Sequence, residues 1–271
     1  MPNFKFSVLL PIYYREKPEY FRLALKSIEN QTLQPDEVVI VKDGKLPVEL
    51  DQVIEEFIDK LNIKIISIPV NLGLGEALNI GIKECSYDFV ARMDSDDICV
   101  PERFEKQAAA FNKEPELDIS GSYLKEFINK PNDLNVIRRV PQTHSEIYKY
   151  TFYRCPFNHP TVMFRKEAVL KVGSYQKMPF FEDYYLWIRM AIAGCRFHNS
   201  PEVLLHYRIG NNMISRRHGF NYAKNEFSFF AYCFKKGLIS LPQLAVFSTR
   251  FPIRLMPMGM LEKFYKIMLR K

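Results

Sequence analysis

The chain has 271 residues, 47% of them hydrophobic and 25% charged, the proportions of a globular protein with ample core. Its five scattered cysteines form no C-x-x-C, which argues against a disulfide framework or a zinc site; with no signal-peptide apolar core and no apolar run of the ~18 residues a span needs, a cytosolic protein is expected. The net charge of +7 is uneven: residues 216–271 hold 11 Lys/Arg against two acids, whereas residues 1–215 carry 27 basic against 29 acidic, so a basic tail meeting an anionic surface is expected.

Phe6 to Tyr13 is almost continuously apolar and reads as a buried strand. After Pro18, residues Phe21, Ala24, Leu25 and Ile28 follow helical spacing. Glu37 to Val41 is a second buried strand, stopped by Asp43-Gly44, and Val53, Ile54, Phe57, Ile58 and Leu61 return to the helical period. Ile63 to Ile68 is a third strand, and Asn71 to Gly75 a loop into a helix with Leu74, Ala77, Leu78, Gly81 and Ile82 on one face. Phe89 to Met93 is a fourth strand, ending in Asp94, Asp96 and Asp97. Such alternation predicts βαβ units, right-handed crossovers and a mostly parallel, doubly wound sheet in residues 1–100.

Pro101 is placed to start a helix bearing Phe104, Ala108 and Phe111. The pattern then loosens into strands near 117–127 and 135–140, a helix near 143–153 and a strand at Thr161 to Phe164. A helix carries Tyr184, Trp187, Ile188 and Ala191, and Val203 to Ile209 is the last strand. Basic and aromatic helices follow. In Met258 to Lys271, the apolar residues Leu261, Phe264, Tyr265 and Met268 oppose Lys263, Lys266 and Arg270, the form of an interfacial helix. A helix packed on the enzyme itself would show the same stripe.

Chemistry concentrates at strand ends. Three carboxylates in four residues repel one another, and a hard divalent cation, Mn²⁺ or Mg²⁺, is their usual compensation. Asp94 and Asp96 lie two apart, so an extended segment turns both the same way. Taken alone, however, an Asp-x-Asp is also an ordinary acidic turn. Asp43 ends its strand at the same sheet edge, where it could accept from a nucleotide base N–H or simply form an Asp-Gly turn. The loop 71–75 could offer backbone N–H groups to an anion. Glu182-Asp183 at a helix start could be a general base or a dipole-compensating cap. His159 and His206 could each be site or structural histidines.

These segments together resemble the family 2 glycosyltransferases, the inverting sugar-nucleotide enzymes of the GT-A fold. The resemblance is carried by Val8-Leu9-Leu10-Pro11-Ile12-Tyr13, Val39 to Gly44, Asn71-Leu72-Gly73 with Ala77-Leu78-Asn79 and Gly81, and Ala91 to Asp97. Further on come Asn158-His159-Pro160-Thr161-Val162-Met163-Phe164 and Phe181 to Trp187, so residues 6–217 are covered. The pattern Gly210-x-x-Met213-x-x-Arg216-Arg217 is similar to the amylovoran-type exopolysaccharide and O-antigen branch, although many family members have a histidine near Gly210.

The resemblance implies a nucleotide-sugar-binding half at 1–100, an acceptor and catalytic-base half at 101–217, and a basic amphipathic helical tail at 218–271. It implies that Pro11 and Tyr13 line the base pocket, that Asp43 bonds the base, and that Asp94 contacts the ribose side. Asp96 is then the metal ligand bridging to the diphosphate, with Asp94 beside it. Gly73, Arg216 and Arg217 join the nucleotide-sugar site. Asp183 is the catalytic base, Glu182 orients substrate, and Asn158, His159 and Trp187 lie on the acceptor side. The implied donor is a UDP-sugar and the implied acceptor a lipid-linked glycan at the inner face of the membrane.

A sugar nucleotidyltransferase would carry a glycine-rich loop after the first strand; here that loop is Tyr13-Tyr14-Arg15-Glu16-Lys17-Pro18. A catalytically silent binding protein would be expected to have lost an acidic cluster, and both are intact. No nucleic-acid module accompanies the basic tail, so nucleic acid is not an expected partner.

Overall fold

A computed structural model describes residues 4–209 and 219–255. Gly210, Arg216, Arg217 and the stripe 258–271 lie outside the described residues.

The described residues build one mixed sheet flanked by helices. Its parallel half is β1 (Phe6–Tyr13), β2 (Glu37–Asp43), β3 (Ile63–Ile68) and β4 (Phe89–Arg92), in the order β3-β2-β1-β4. Helices α1 (Pro18–Glu29), α2 (Val48–Phe57) and α3 (Leu74–Glu84) make the crossovers. Because side chains alternate along a strand, β1 feeds two cores. Phe6, Val8, Leu10 and Ile12 pack with α1 and α2, whereas Leu9, with Val39 and Val41 of β2, packs with α3. Gly81 lets α3 sit that close: a Cβ there would lie 2.7 Å from Val41 Cγ2 and closer still to Leu9.

β5 (Ile98–Cys99) and α4 (Arg103–Lys113) lead into a second half built on β6 (Leu117–Phe127) and β9 (Arg196–Arg208). The sheet continues from β4 through β8 (Met163–Arg165), β6 and β9 to β5, with β7 (Val136–Arg138) paired to β6. β4 meets β8 antiparallel, and β6 runs parallel to β9. Between them come α5 (His144–Thr151), a 3-10 turn at His159–Thr161, α6 (Lys166–Lys171) and α7 (Glu182–Ile192). Helices α8 (Phe220–Lys235), α9 (Leu241–Ser248) and α10 (Arg250–Arg254) follow. Phe229, Phe230 and Phe247 cover Tyr184, Tyr185 and Ile188 on the outer side of α7.

Two boundaries differ from the sequence expectation. The strand expected from Thr161 begins at Met163, because Pro160 cannot donate to a ladder and Thr161 turns its hydroxyl back to the Asn158 carbonyl at 2.8 Å. The last strand begins at Arg196 rather than Val203. Its register against β6 jumps from Ser122↔Ser200 to Tyr123↔Val203, which leaves Pro201 in the irregularity, the place where a sheet tolerates a missing N–H.

Candidate active site

The carboxyl ends of β1, β2 and β4 share one edge, and in open α/β sheets that is where ligands bind. Tyr13 is exposed there and registers against Asp43; Pro11, two residues back, is buried in β1 opposite Val41.

Asp43 is engaged at both oxygens as a structural acceptor. Leu72 N–H donates to its Oδ1 at 2.7 Å, while Gly73 N–H and Asn71 Nδ2 donate to Oδ2 at 3.0 and 2.9 Å. The carboxylate therefore shapes the 71–73 loop that enters α3 at Gly73, whose φ of +91° suits glycine. Two of the loop N–H groups expected to face an anion thus face Asp43 instead. Oδ1, with one bond made, retains acceptor capacity.

The β4 end is different. Asp94, Asp96 and Asp97 present oxygens all within 4.8 Å of one another. Asp94 forms a two-point ion pair with Arg92, one bond being 2.7 Å, and the Arg92 side chain is 2% exposed. Burial opposes the charge of Arg92, but Asp94, Tyr175 and Asp97 outweigh it and raise its pKa. Asp97 is fully buried; its Oδ1 accepts from Arg208 N–H at 2.8 Å, and its Oδ2 has no partner among the described residues. Burial first, then the charges of Asp94 and Glu16, push the Asp96 carboxyl up to about 7. Burial, then Asp96 and Asp94, push Asp97 well above the usual carboxylate range.

An orphaned buried carboxylate oxygen beside two more carboxylates is the donor set that suits a hard divalent cation. The residues present fit such an ion, with Asp96 and Asp94 as the more accessible ligands and Asp97 behind them.

Glu182 and Asp183 both fall in the first turn of α7, as the sequence predicts. Burial first, then Asp183, raises the Glu182 pKa, and α3 lies so close that a Cβ on Gly75 would be 3.4 Å from Glu182 Cγ. Asp183 Oδ1 accepts from Tyr184 N–H at 2.8 Å; its Oδ2 faces Cys155 Sγ and His159 Nδ1, each at 4.0 Å. His159 Nε2 lies 2.7 Å from Tyr175 Oη. Burial, opposed by Arg92 and reinforced by Asp183 and Asp94, holds the Tyr175 hydroxyl proton above its ordinary pKa. Tyr175 therefore stands within electrostatic reach of both acidic clusters.

Two residues expected on the acceptor side do not face it. Trp187 is fully buried and packs edge-on against Phe157, ring centroids 5.3 Å apart, so it is a core residue. Asn158 spends its amide on the Ser122 and Arg138 carbonyls at 2.9 and 3.2 Å, which ties β6 to the 3-10 turn. His206 is half-buried in β9 opposite Ile98, with its pKa lowered by burial first.

Sequence reasoning gave no role to four residues that build the site. Glu16 accepts from Ser95 Oγ at 2.6 Å and adds a fourth carboxylate beside Asp96. Arg208 donates from Nε to the Asp96 carbonyl at 2.9 Å and stacks over Tyr20, 3.8 Å from the ring centroid. Arg92 and Tyr175 are the other two. Arg92 was legible in principle, since it sits two residues before Asp94 on an extended chain.

The class defined so far is an α/β protein with a cation-fitting carboxylate cluster at the carboxyl edge of its sheet and a second acidic pair at the start of α7. Comparison narrows the class. The Glycosyl transferase family 2 profile matches residues 7–173. The chain is 39% identical over 264 residues to the amylovoran biosynthesis glycosyltransferase AmsE of Erwinia amylovora, covering 96% of this chain and 98% of that one. It is 38% identical over 268 residues to an Escherichia coli UDP-Gal:alpha-D-GlcNAc-diphosphoundecaprenol beta-1,3-galactosyltransferase, covering 98% and 97%. In fold it is similar to the mannosyltransferase PcManGT of Pyrobaculum calidifontis, solved with GDP-Man and Mn²⁺: TM-score 0.70, 16% identity, 98% of this chain and 77% of that one. The chain belongs to glycosyl transferase family 2, and its relatives act in polysaccharide and lipid-linked glycan synthesis.

Proposed function

We propose that the chain is a metal-dependent inverting glycosyltransferase that moves a sugar from a UDP-sugar to a hydroxyl of a glycan carried on a lipid diphosphate. The observation that carries the reading is the Asp94–Asp96–Asp97 cluster, with its unpartnered Asp97 oxygen, at the same edge as Tyr13 and Asp43. The donor and acceptor classes come from the E. coli relative, which by name uses UDP-Gal and a GlcNAc-diphosphoundecaprenol.

When bound by Asp96 and Asp94, a divalent ion supplies charge neutralisation for the departing diphosphate. The chain's residues do the rest. Tyr13 and the remaining acceptor capacity of Asp43 hold the base, and residues 1–100 form the donor half. Asp183 takes the acceptor proton as the acceptor oxygen bonds to the sugar's anomeric carbon; the bond to the diphosphate breaks, and its electron pair leaves with phosphate oxygen. Attack and departure on opposite faces invert the anomeric centre. Glu182 orients the acceptor, and residues 101–217 form the acceptor half.

The basic region 218–271 is assigned to an anionic bilayer at the inner face of the membrane, and Arg216 and Arg217 to nucleotide-sugar binding. No helix among the described residues is long and apolar enough to cross a membrane. Each cation near an anionic surface contributes about 1 kcal/mol, so truncation after residue 240 is expected to weaken co-sedimentation with anionic vesicles. Equal sedimentation of both forms with anionic and neutral vesicles would remove the anchor. Turnover itself is tested with a panel of sugar nucleotides and Mn²⁺, scoring hydrolysis and transfer to a GlcNAc-diphospho-lipid; UDP-galactose is expected to lead, and no turnover of any of them would overturn the reading.

A further inference from the structure

We propose that His159, set in its Nδ1–H tautomer by Tyr175, is a positioning residue that fixes the carboxylate of Asp183 for proton removal. The inference rests on the assignment of Asp183 as base and adds how that base is held.

The argument begins with Tyr175. Its side chain is buried, and among the described residues its hydroxyl has one partner, His159 Nε2 at 2.7 Å. A buried O–H that stays protonated must donate, and here the acceptor is Nε2. A neutral imidazole accepting at one nitrogen carries its proton on the other. That other nitrogen, Nδ1, faces Asp183 Oδ2 at 4.0 Å. Burial, then the charge of Arg92, keeps His159 neutral by lowering its pKa well below the ordinary value. The opposite tautomer would aim the Nδ1 lone pair at a carboxylate and leave the tyrosine proton with nothing to bond.

The surrounding geometry makes the pair rigid. Asn79 of α3 grips Tyr175 at both backbone groups, accepting from its N–H at 2.9 Å and donating to its carbonyl at 2.7 Å. His159 is fixed by the 3-10 turn and rests against Trp187, ring centroids 6.0 Å apart. Trp187 and Asn158 thus act on the site indirectly: one packs the imidazole, and the other anchors the turn that carries it. Asp183 Oδ1 is already held by Tyr184 N–H. Cys155 Sγ donates to Oδ2 at 4.0 Å, the long limit for a sulfur donor. His159 Nδ1, 4.0 Å from the same oxygen, is beyond hydrogen-bond distance in the free protein; a contact of this kind tightens in the substrate complex, where the imidazole sets the plane of the carboxylate.

Asparagine and glutamine separate this role from simple packing. Asparagine places an N–H near the position of Nδ1, whereas glutamine reaches the position of Nε2 and puts no donor at the Nδ1 position facing Asp183. With UDP-galactose, the expected donor, and a GlcNAc-diphospho-lipid acceptor, His159→Gln and Tyr175→Phe are expected to lower kcat about 10–100-fold, as loss of an orienting partner does elsewhere. Donor KM, UDP binding in Mn²⁺ and Tm should stay near the parent values, and His159→Asn should recover most of the loss. Asp183→Asn is run alongside. If it is inactive while His159→Gln and Tyr175→Phe turn over at the parent rate, the base stands and the positioning role fails. Equal loss in His159→Asn and His159→Gln, accompanied by lower Tm, would also overturn it in favour of packing. If Asp183→Asn transfers at the parent rate, the base assignment falls and takes this inference with it.

Discussion

β2 and β4 flank β1 and run parallel to it; β2 ends in Asp43, and β4 ends just before the carboxylates Asp94, Asp96 and Asp97 at the same edge, yet these aspartates live under opposite conditions. Asp43 receives three donors within 3.0 Å and closes a loop. At the β4 end, Asp96 and Asp97 have their protonated forms favoured by burial and by neighbouring carboxylates, and Asp97 Oδ2 has no partner among the described residues. A buried acceptor that is satisfied contributes to folding, whereas one left open among like charges costs stability unless something else binds it. The first aspartate is explained by the chain alone. The second is the arrangement that suits the cation and substrate proposed above.

The comparison breaks most sharply at Asp96. Asp96→Ala is expected to lower sugar transfer about 10³-fold or more, with Tm unchanged or raised because one charge leaves a repelling cluster. Asp94 is a poorer probe: removing it strands the buried Arg92, a loss of about 3–5 kcal/mol, so inactivity would report unfolding as readily as chemistry. Next in size is Asp183→Asn, which is nearly isosteric and removes only the proton acceptor. It should lower kcat about 10²-fold or more while UDP binding stays near the parent value. Parent-rate transfer would move the base to Glu182. Asp43→Asn gives the smallest catalytic effect and, Asp94 aside, the largest thermal one, a loss of about 1.5–3 kcal/mol read by denaturant unfolding. Undiminished stability in Asp43→Asn would show that the carboxylate does not hold the loop and leave it only the donor-base role.

The parallel half was legible because each element carries its own signal. The strands Phe6–Tyr13 and Glu37–Asp43 are buried almost throughout, and the stripes Phe21/Ala24/Leu25/Ile28 and Ala77/Leu78/Ile82 are the buried faces of α1 and α3. The acidic clusters were legible for the same reason, being local runs of one residue type. What the sequence hid is what arrives from a distance. Glu16 reaches Ser95 across 79 positions, and Asn79 reaches Tyr175 across 96. Asn158 and Trp187 were misplaced because a motif marks a neighbourhood and does not say which side chains turn into it. Asn158 meets two carbonyls and Trp187 meets Phe157, and neither partner can be read from spacing.

The central claim is that the β4 carboxylates are built for a divalent cation, and Mn²⁺-dependent thermal stabilisation at two pH values tests it most directly. Asp96 has its pKa raised to about 7 in the folded chain, above about 3.9 in the unfolded one. Between these values the folded chain holds more protons, so stability without metal falls as pH rises through that window. Mn²⁺ must displace those protons. It is therefore expected to raise Tm by about 5–10 °C at a hundredfold excess over Kd near pH 8, by clearly less near pH 5.5, and not at all in Asp96→Ala. An equal shift in the parent and Asp96→Ala, or full sugar transfer in EDTA with no metal retained, would contradict the account.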